Sequence, residues 1–156
     1  MSEGFWYVGT PYTKYKDGTK EAYKMACRNT ALLINAGIMA FCPIGHGEGL
    51  VDHGDIDAKD HDLWMRIDRP FMNAAVGLVV VMADGWQESR GLAEEIRTFR
   101  AQGKMIIYME NGVLPIEFHP KMLSFTNILA EDLAEADEDG GILYGPCSAE
   151  DFAAGE

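Results

Sequence analysis

The sequence predicts a three-layer α/β fold built on a parallel β-sheet. Four short runs rich in apolar and β-branched residues, at 5–10, 38–42, 76–82 and 104–109, alternate with longer segments of helical periodicity. This alternation is typical of βαβ units, in which helices cover a parallel sheet. The run at 76–82 (VGLVVVM) is apolar nearly throughout, which indicates a central strand buried on both faces.

The first βαβ unit occupies residues 5–42. Its first strand, at 5–10, ends before a proline, and the DGT sequence at 17–19 opens a helix that closes at Gly37. The second strand follows directly at 38–42. A strand, a helix and a second strand in this order predict parallel pairing with a right-handed crossover.

The second half of the domain contains the remaining helices. Residues 43–60 are rich in Gly, His and Asp, and we expect them to form a long functional or mobile loop. A helix is expected at 60–75, kinked or broken by Pro70. Another is expected at 89–102, ending before Gly103.

The chain length of 156 residues is sufficient for one domain with one core. We expect a single α/β domain over residues 1–137 and a loose, acidic C-terminal tail over 138–156. Within this domain, residues 125–129 are expected to form a short fifth strand and residues 131–136 a short helix.

The charge balance restricts the partners of the protein. Thirteen basic and 25 acidic residues give a formal net charge of −12, so binding along DNA or RNA is not expected. No apolar run reaches the roughly 18 residues of a transmembrane helix, and the N-terminus lacks the pattern of a secretory signal. Three widely spaced cysteines, an odd number, favour reduced thiols and a cytoplasmic location.

Candidate functional residues are sought where strands end, because ligands of parallel α/β sheets bind at the carboxyl ends of the strands. The third strand leads into a glycine-containing turn and a helix start at 84–91, where backbone N–H groups can face an anion. This segment matches neither G-x-G-x-x-G nor G-K-[ST]. The alternative is that Ser89 is an ordinary helix N-cap.

Glu95 is the first candidate for catalysis. Leu92, Ile96 and Phe99 form an apolar stripe on the predicted helix. Glu95 lies on the flank of this stripe, whereas Glu94 points away and is expected to be solvated. A carboxylate beside a buried stripe at the ligand end of a sheet is unusual.

Asp68 is the second candidate, on the helix before the third strand. It is either an ordinary surface charge or a group that faces the same cleft as Glu95. Glu95 itself either is catalytic or pairs with Arg66 or Arg69. Two carboxylates in one cleft suit the cleavage of a glycosidic bond.

The segment at 46–62 is rich in possible metal ligands. It fits neither the EF-hand pattern nor H-E-x-x-H, and it contains no paired cysteines. We expect a solvated lid, with metal-dependent phosphoester hydrolysis as the alternative.

Aromatic residues cluster near the end of the first strand. Trp6 and Tyr7 are candidates for core packing, whereas Tyr12 follows Pro11 beyond the strand and is better placed to stack on a flat ligand. A flat apolar surface, a tyrosine hydroxyl and a carboxylate together indicate a nucleobase attached to a sugar.

Three motifs resemble those of the nucleoside 2-deoxyribosyltransferase-like superfamily. YVGTPY at 7–12 resembles its first-strand motif, and D-x-x-x-M-x-x-A at 68–75 resembles its second. G-W-x-x-S-x-G-x-x-x-E-I at 85–96 resembles the third and most specific motif. FCPIGH at 41–46 is similar to a stretch in a poorly characterised phage and bacterial branch. The resemblance covers residues 5–110.

The resemblance implies a flavodoxin-like three-layer sandwich with a five-stranded parallel sheet. It also implies cleavage of the N-glycosidic bond of 2′-deoxynucleosides or their 5′-monophosphates, by hydrolysis or base transfer, with no metal or other cofactor. By position, Glu95 would be the nucleophile on C1′, Asp68 would assist proton transfer to the departing base, and Tyr7 would orient Glu95.

Substrate contacts and assembly are implied in the same way. Asn127 resembles a residue that the transferases send into a neighbouring subunit's site, which implies a homodimer or homotetramer with shared sites. The residues expected to bind substrate are Thr10, Tyr12, His46, Asp84, Trp86, Ser89, Arg90, Gly91 and Asn127.

Ser89 bears on the 5′ group of the substrate. The free-nucleoside transferases usually have Asp six residues before the nucleophile, whereas the deoxynucleoside 5′-monophosphate N-glycosidases have Ser. A hydroxyl at a helix N-terminus accepts a phosphate that a carboxylate would repel, and Arg90 could add a charge-assisted contact. The loop at 10–13 lacks the basic residue of some monophosphate enzymes. A non-catalytic nucleotide-binding module on the same fold is the alternative function.

Overall fold

A computed structural model describes residues 4–119, and strands and helices alternate through most of this range. The elements are β1 (Trp6–Gly9), α1 (Thr19–Asn35), β2 (Ala40–Phe41), α2 (Pro43–Gly54), α3 (His61–Ala74), β3 (Gly77–Met82), α4 (Arg90–Ala101), β4 (Met105–Glu110) and a short 3₁₀ helix (Ile116–Phe118).

The strands form one parallel sheet in the order β2-β1-β3-β4. β1 is central, and its Tyr7 pairs with Phe41 of β2 and with Leu78 of β3. This order is compatible with a flavodoxin-like sheet. Within residues 4–119 the sheet has four strands rather than the expected five. The segment expected to supply the fifth strand, 125–129, lies outside the described residues, as do the helix expected at 131–136 and the tail.

Two apolar cores, one on each face of the sheet, confirm the three-layer arrangement. Successive residues of a strand point to opposite faces, so Tyr7 and Val8 enter different cores. The first core includes Tyr7, Leu78 and Val80 of the sheet, Met72 of α3, and Leu92 and Phe99 of α4. The second core includes Val8, Val79 and Val81 of the sheet and Met25, Ala26 and Leu33 of α1.

Most of the predicted elements are confirmed to within a few residues. β1, β2 and β3 lie inside the first three apolar runs, β4 extends one residue beyond the fourth, and Pro70 lies inside α3. The prediction of a loop over residues 43–60 is wrong, because Pro43–Gly54 forms the helix α2.

Local and tertiary contacts explain why α2 is a helix despite its four glycines. Pro43 occupies the first helical turn, and the Sγ atom of the N-cap residue Cys42 accepts a hydrogen bond from the Gly45 N–H at 3.3 Å. Gly47 packs against the Trp64 ring of α3, and the side chain of Glu48 is buried. Packing therefore overrides the low helix propensity of glycine.

No helix in the described part of the chain combines the length and apolar character needed to cross a membrane. Cys27 and Cys42 are free thiols, and Cys147 lies outside the described residues.

We predict that Gly49→Ala stabilises the protein by about 0.5–1 kcal/mol, because alanine loses less backbone entropy than glycine in a helix. A Cβ atom at Gly49 meets no other atom within 4 Å. Gly47→Ala is the matched control and should stabilise the protein less, because an ideal Cβ at this position would lie 3.0 Å from the Trp64 ring. Urea denaturation measures both values. A destabilising Gly49→Ala would contradict a helix over this segment.

Candidate active site

A cavity of about 320 Å³ opens beside the carboxyl end of β1. Its wall is formed by residues that follow β1 and by parts of α2, α3 and the first turns of α4. The volume lies at the lower end of the ~300–1,000 Å³ typical of small-molecule sites. The cavity is therefore at the edge of the sheet where parallel α/β proteins bind ligands.

Glu95 lies in the cavity wall, and its side chain is buried. The apolar stripe of α4 turns it toward the sheet, where Leu92 and Phe99 are also buried. The Tyr7 hydroxyl donates a hydrogen bond to Glu95 Oε1 at 3.0 Å. Glu95 Oε2 is buried without a hydrogen-bond partner among the described residues. One carboxyl oxygen is thus fixed by Tyr7, whereas the other oxygen keeps its full hydrogen-bonding capacity among these residues.

Burial raises the pKa of Glu95 to about 8. Desolvation is the largest cause, and the nearby carboxylates of Asp68 and Glu94 raise the pKa further, whereas the hydrogen bond from Tyr7 lowers it. At neutral pH the side chain therefore holds a proton.

Asp68 of α3 lines the same cavity and is also buried. Burial raises its pKa to about 6, while the Tyr7 hydroxyl and His46 both lower it. The Tyr7 hydroxyl thus faces two carboxyl groups at once, and its own pKa is raised well above the ordinary tyrosine value, chiefly by burial. Two acids with raised pKa values and a shared phenol are typical of acid–base and nucleophilic sites.

Neither Arg66 nor Arg69 pairs with Glu95; both are exposed, and no ion pair involving Glu95 is found within residues 4–119. The expectation that Glu94 is solvated is wrong in part. Glu94 is half-buried, and its Oε2 lies 2.9 Å from Nε2 of His61 on α3.

The start of α4 combines a cap with a place in the cavity wall. Ser89 Oγ accepts a hydrogen bond from the Leu92 N–H at 3.4 Å, so the N-cap interpretation is confirmed. Ser89, Arg90 and Gly91 also line the cavity. The first N–H groups of a helix have no partner within the helix, and they provide donors at this wall.

The structure brings most of the expected site residues to the cavity, but not all of them. Thr10, Tyr12, Ser89, Arg90 and Gly91 line it together with Asp68 and Glu95. The buried Thr10 hydroxyl has no hydrogen-bond partner within residues 4–119. Tyr7 itself does not line the cavity, but its hydroxyl is bonded to Glu95, which does.

Three expected substrate contacts lie elsewhere. The His46 ring packs against Phe41 and Phe71, and Asp84 pairs with Lys16 at the surface at 2.6 Å. Trp86 packs edge-to-face on Tyr108. Their side chains are used in packing or surface pairing, so none of the three lines the cavity. Asn127 lies outside the described residues.

The cavity residues that were not assigned to the site from the sequence include four with charged or aromatic side chains: Glu48 of α2, Lys59 before α3, and His61 and Trp64 of α3. All four lie in or beside the segment that was expected to be a solvated lid. Ile44 and Val51 lie four residues before and three residues after Glu48, so a helix through Pro43–Gly54 places all three on one face, and this spacing was the available signal for Glu48. Within residues 4–119 no group of three or more His, Cys, Asp or Glu side chains is placed to hold a metal ion.

The fold and this site define an α/β protein with a parallel sheet and an acid-lined cavity at the end of its first strand. Residues 4–111 match the family model described as Domain of unknown function (DUF1937). The match covers more than half of the chain and every strand of the sheet, so the chain belongs to this family. A comparison with curated proteins found no match.

We predict that Glu95→Gln stabilises the folded protein, and more strongly at pH 8 than at pH 5. Between the ordinary glutamate value of 4.5 and its folded pKa of about 8, the folded state holds a proton that the unfolded state has released. The contribution of Glu95 to the free energy of unfolding is therefore fully present below pH 4.5 and is lost as the pH rises toward 8. Replacing the acid by a neutral amide removes this loss, which is on the order of a few kcal/mol.

Denaturant titrations at the two pH values measure this effect. The exposed Glu117 provides the matched control, and Glu117→Gln should change the free energy of unfolding little at either pH. An equal effect of Glu95→Gln at pH 5 and pH 8 would contradict a raised pKa.

Proposed function

We propose that the protein cleaves the N-glycosidic bond of 2′-deoxyribonucleoside 5′-monophosphates or 2′-deoxynucleosides, by hydrolysis or base transfer. One observation carries the proposal: the buried Glu95 carboxyl, which Tyr7 holds through one oxygen and whose other oxygen has no hydrogen-bond partner within residues 4–119, shares a cavity with Asp68. The three motifs that resemble the nucleoside 2-deoxyribosyltransferase-like superfamily supply the bond and the substrate class.

In the proposed reaction Glu95 Oε2 attacks C1′ of the deoxyribose. The bond between C1′ and the base nitrogen breaks, its electron pair leaves with the base, and Asp68 donates a proton to the base. Water, activated by Asp68 as a base, or a second nucleobase then takes the sugar from Glu95. Tyr7 stays bonded to Oε1 throughout and limits the rotation of the carboxyl group.

This reaction requires an ionised Glu95 and a protonated Asp68. The pKa of Glu95, about 8, exceeds that of Asp68, about 6, so the first proton binds to Glu95. Positive charge that develops on the sugar favours the ionised form of Glu95, and the hydrogen bond from Tyr7 favours it too. We propose that the bound substrate moves the proton to Asp68, the group that must donate it.

The proposal extends to parts of the fold that lie outside the described residues. A fifth strand at 125–129 would complete a flavodoxin-like sheet. Asn127 from a second copy would complete the cavity, so a homodimer or homotetramer is the proposed active form.

A non-catalytic nucleotide-binding module is the competing function. The proton on Glu95 favours this binding function, because a neutral carboxyl is a good hydrogen-bond donor and a poor nucleophile. Incubation with deoxynucleoside monophosphates, followed by chromatography for free base, separates the two functions.

We predict that Glu95→Gln lowers the rate of base release by several orders of magnitude, because the amide cannot attack C1′. Chromatographic assay of free base from deoxynucleoside monophosphates measures the rate, and circular dichroism checks the fold. Glu117→Gln, an exposed substitution of the same chemistry, should retain the wild-type rate. Near-normal base release by Glu95→Gln would rule out the proposed nucleophile.

A further prediction concerns the 5′-phosphate of the substrate. Ser89, Arg90 and Lys59 line the cavity, and neither basic side chain forms an ion pair with a described residue. A charge-assisted contact contributes on the order of 1.5–3 kcal/mol, so monophosphates should exceed free nucleosides roughly ten- to a hundred-fold in kcat/KM. Ser89→Asp should erode or invert this preference, because its charge repels the phosphate.

Gln87→Glu is the control for this charge. It adds the same charge at an exposed position outside the cavity wall, so the preference for monophosphates should remain. Equal turnover of nucleoside and monophosphate by the unmodified protein would refute a phosphate subsite and favour a free-nucleoside transferase.

A further inference from the structure

A second polar cluster in the cavity wall is centred on Glu48 of α2, a group that the proposed reaction does not use. Its side chain is only 7% exposed. Glu48 Oε2 accepts a hydrogen bond from the Tyr12 hydroxyl at 3.0 Å, and Oε1 accepts one from Lys20 Nζ at 2.8 Å. Glu48 and Tyr12 line the cavity, whereas Lys20 does not and also pairs with Asp52. The carboxylate is therefore held in the wall by fixed contacts.

Tyr12 and Glu48 can accept hydrogen bonds from a ligand but cannot donate any. The Tyr12 hydroxyl has one proton, which it donates to Glu48, so its oxygen can only accept a bond from a ligand. A carboxylate is an acceptor, and each oxygen of Glu48 retains acceptor capacity after one bond. The wall formed by Tyr12 and Glu48 thus offers acceptors alone.

Trp64 places a flat ring in the same cavity. Its Nε1–H donates to the Asp57 carbonyl oxygen at 3.0 Å, so the indole has no donor left for a ligand. Gly47 allows this ring to pack against α2, because an ideal Cβ there would lie 3.0 Å from Cζ3 of Trp64. A ring surface next to an acceptor wall fits an aromatic ligand whose edge carries hydrogen-bond donors.

We propose that Glu48 and Tyr12 select the base of the substrate by its donor groups, with guanine preferred and thymine and uracil disfavoured. This inference rests on the proposed function, because it assumes a nucleobase in the cavity. Guanine presents a ring N–H beside an amino group, which the two oxygens of a carboxylate can accept together. Adenine and cytosine present one amino group beside an acceptor. Thymine and uracil flank a single ring N–H with two carbonyl oxygens, which an acceptor wall leaves unpaired.

Equilibrium binding to the Glu95→Gln variant tests the inference without turnover. Isothermal titration calorimetry is performed with dGMP, dAMP, dCMP and TMP. We expect dGMP to bind roughly ten-fold or more tightly than TMP, since a good bidentate contact discriminates between bases by about this much. The affinities of dAMP and dCMP should lie between these two. Equal or tighter binding of TMP would overturn the inference, and so would a lack of binding by all four nucleotides.

Glu48→Gln in the same background assigns the preference to this side chain. It replaces one acceptor oxygen by an amide donor and should bring dGMP and TMP to within roughly three-fold of each other. Asp52→Asn is the matched control, because it removes an exposed partner of Lys20 and leaves the cavity wall intact, so the preference should remain. An unchanged preference in Glu48→Gln would overturn the assignment.

Two further readouts keep the inference testable if Glu48→Gln fails to fold. Tyr12→Phe removes one acceptor from the wall and should also reduce the difference in affinity between dGMP and TMP. An unchanged difference would contradict base selection by Tyr12 and Glu48. Base release without base preference would overturn this inference and leave the proposed function standing. Guanine-selective binding without base release would support the wall and overturn the proposed function.

Discussion

The hydrogen bond from Tyr7 to Glu95 is the interaction on which the geometry of the site depends. Tyr7 of β1 is completely buried. The centre of its ring lies 5.6 Å from the ring centre of Phe99 and 6.0 Å from that of Phe41. Core packing therefore fixes the position of the Tyr7 hydroxyl. The bond then fixes one oxygen of Glu95 on the neighbouring helix α4. A reactive group held by core packing loses little further conformational freedom on binding a ligand, which is the physical basis of preorganisation. The stability of this half of the core and the geometry of the cavity are therefore coupled.

Two buried glutamates in this cavity wall have opposite electrostatic surroundings. Glu48 is paired with the ammonium group of Lys20, whereas Glu95 has, within residues 4–119, the neutral phenol of Tyr7 as its one side-chain partner. A carboxylate already neutralised by a cation gains little when positive charge develops nearby, and it is suited to recognition. An unpaired carboxyl whose pKa is raised to about 8 gains most from such charge. This difference supports assigning bond cleavage to Glu95 and ligand selection to Glu48, although both are acids of the same type.

The sequence predicts the sheet and the outer helices well, because apolar periodicity reports directly which face of an element is buried. The same periodicity favoured Glu95 over Glu94, since only Glu95 borders the stripe of Leu92 and Phe99. It did not predict the contact of Glu94 with His61, because a helical pattern defines a face but not the helix packed beside it. Glu48 was missed for another reason: four glycines lower the helix propensity of Pro43–Gly54, and the cap at Cys42 together with packing against α1 and Trp64 makes this segment helical.

The end of β1 explains how a strand and a helix can approach closely enough to form the site. Tyr7 and Gly9 are two residues apart and therefore point to the same face of the sheet. An ideal Cβ at Gly9 would lie 2.6 Å from both Glu95 Oε2 and Leu92 Cδ1, so the missing side chain leaves the space that the carboxyl occupies. Thr10 follows at the sheet edge with its hydroxyl buried in the cavity wall. Three positions at the end of β1 thus supply a hydrogen bond to Glu95, the space for its carboxyl and a further polar group in the cavity wall, which gives the Tyr-x-Gly-Thr sequence at residues 7–10 a direct physical meaning.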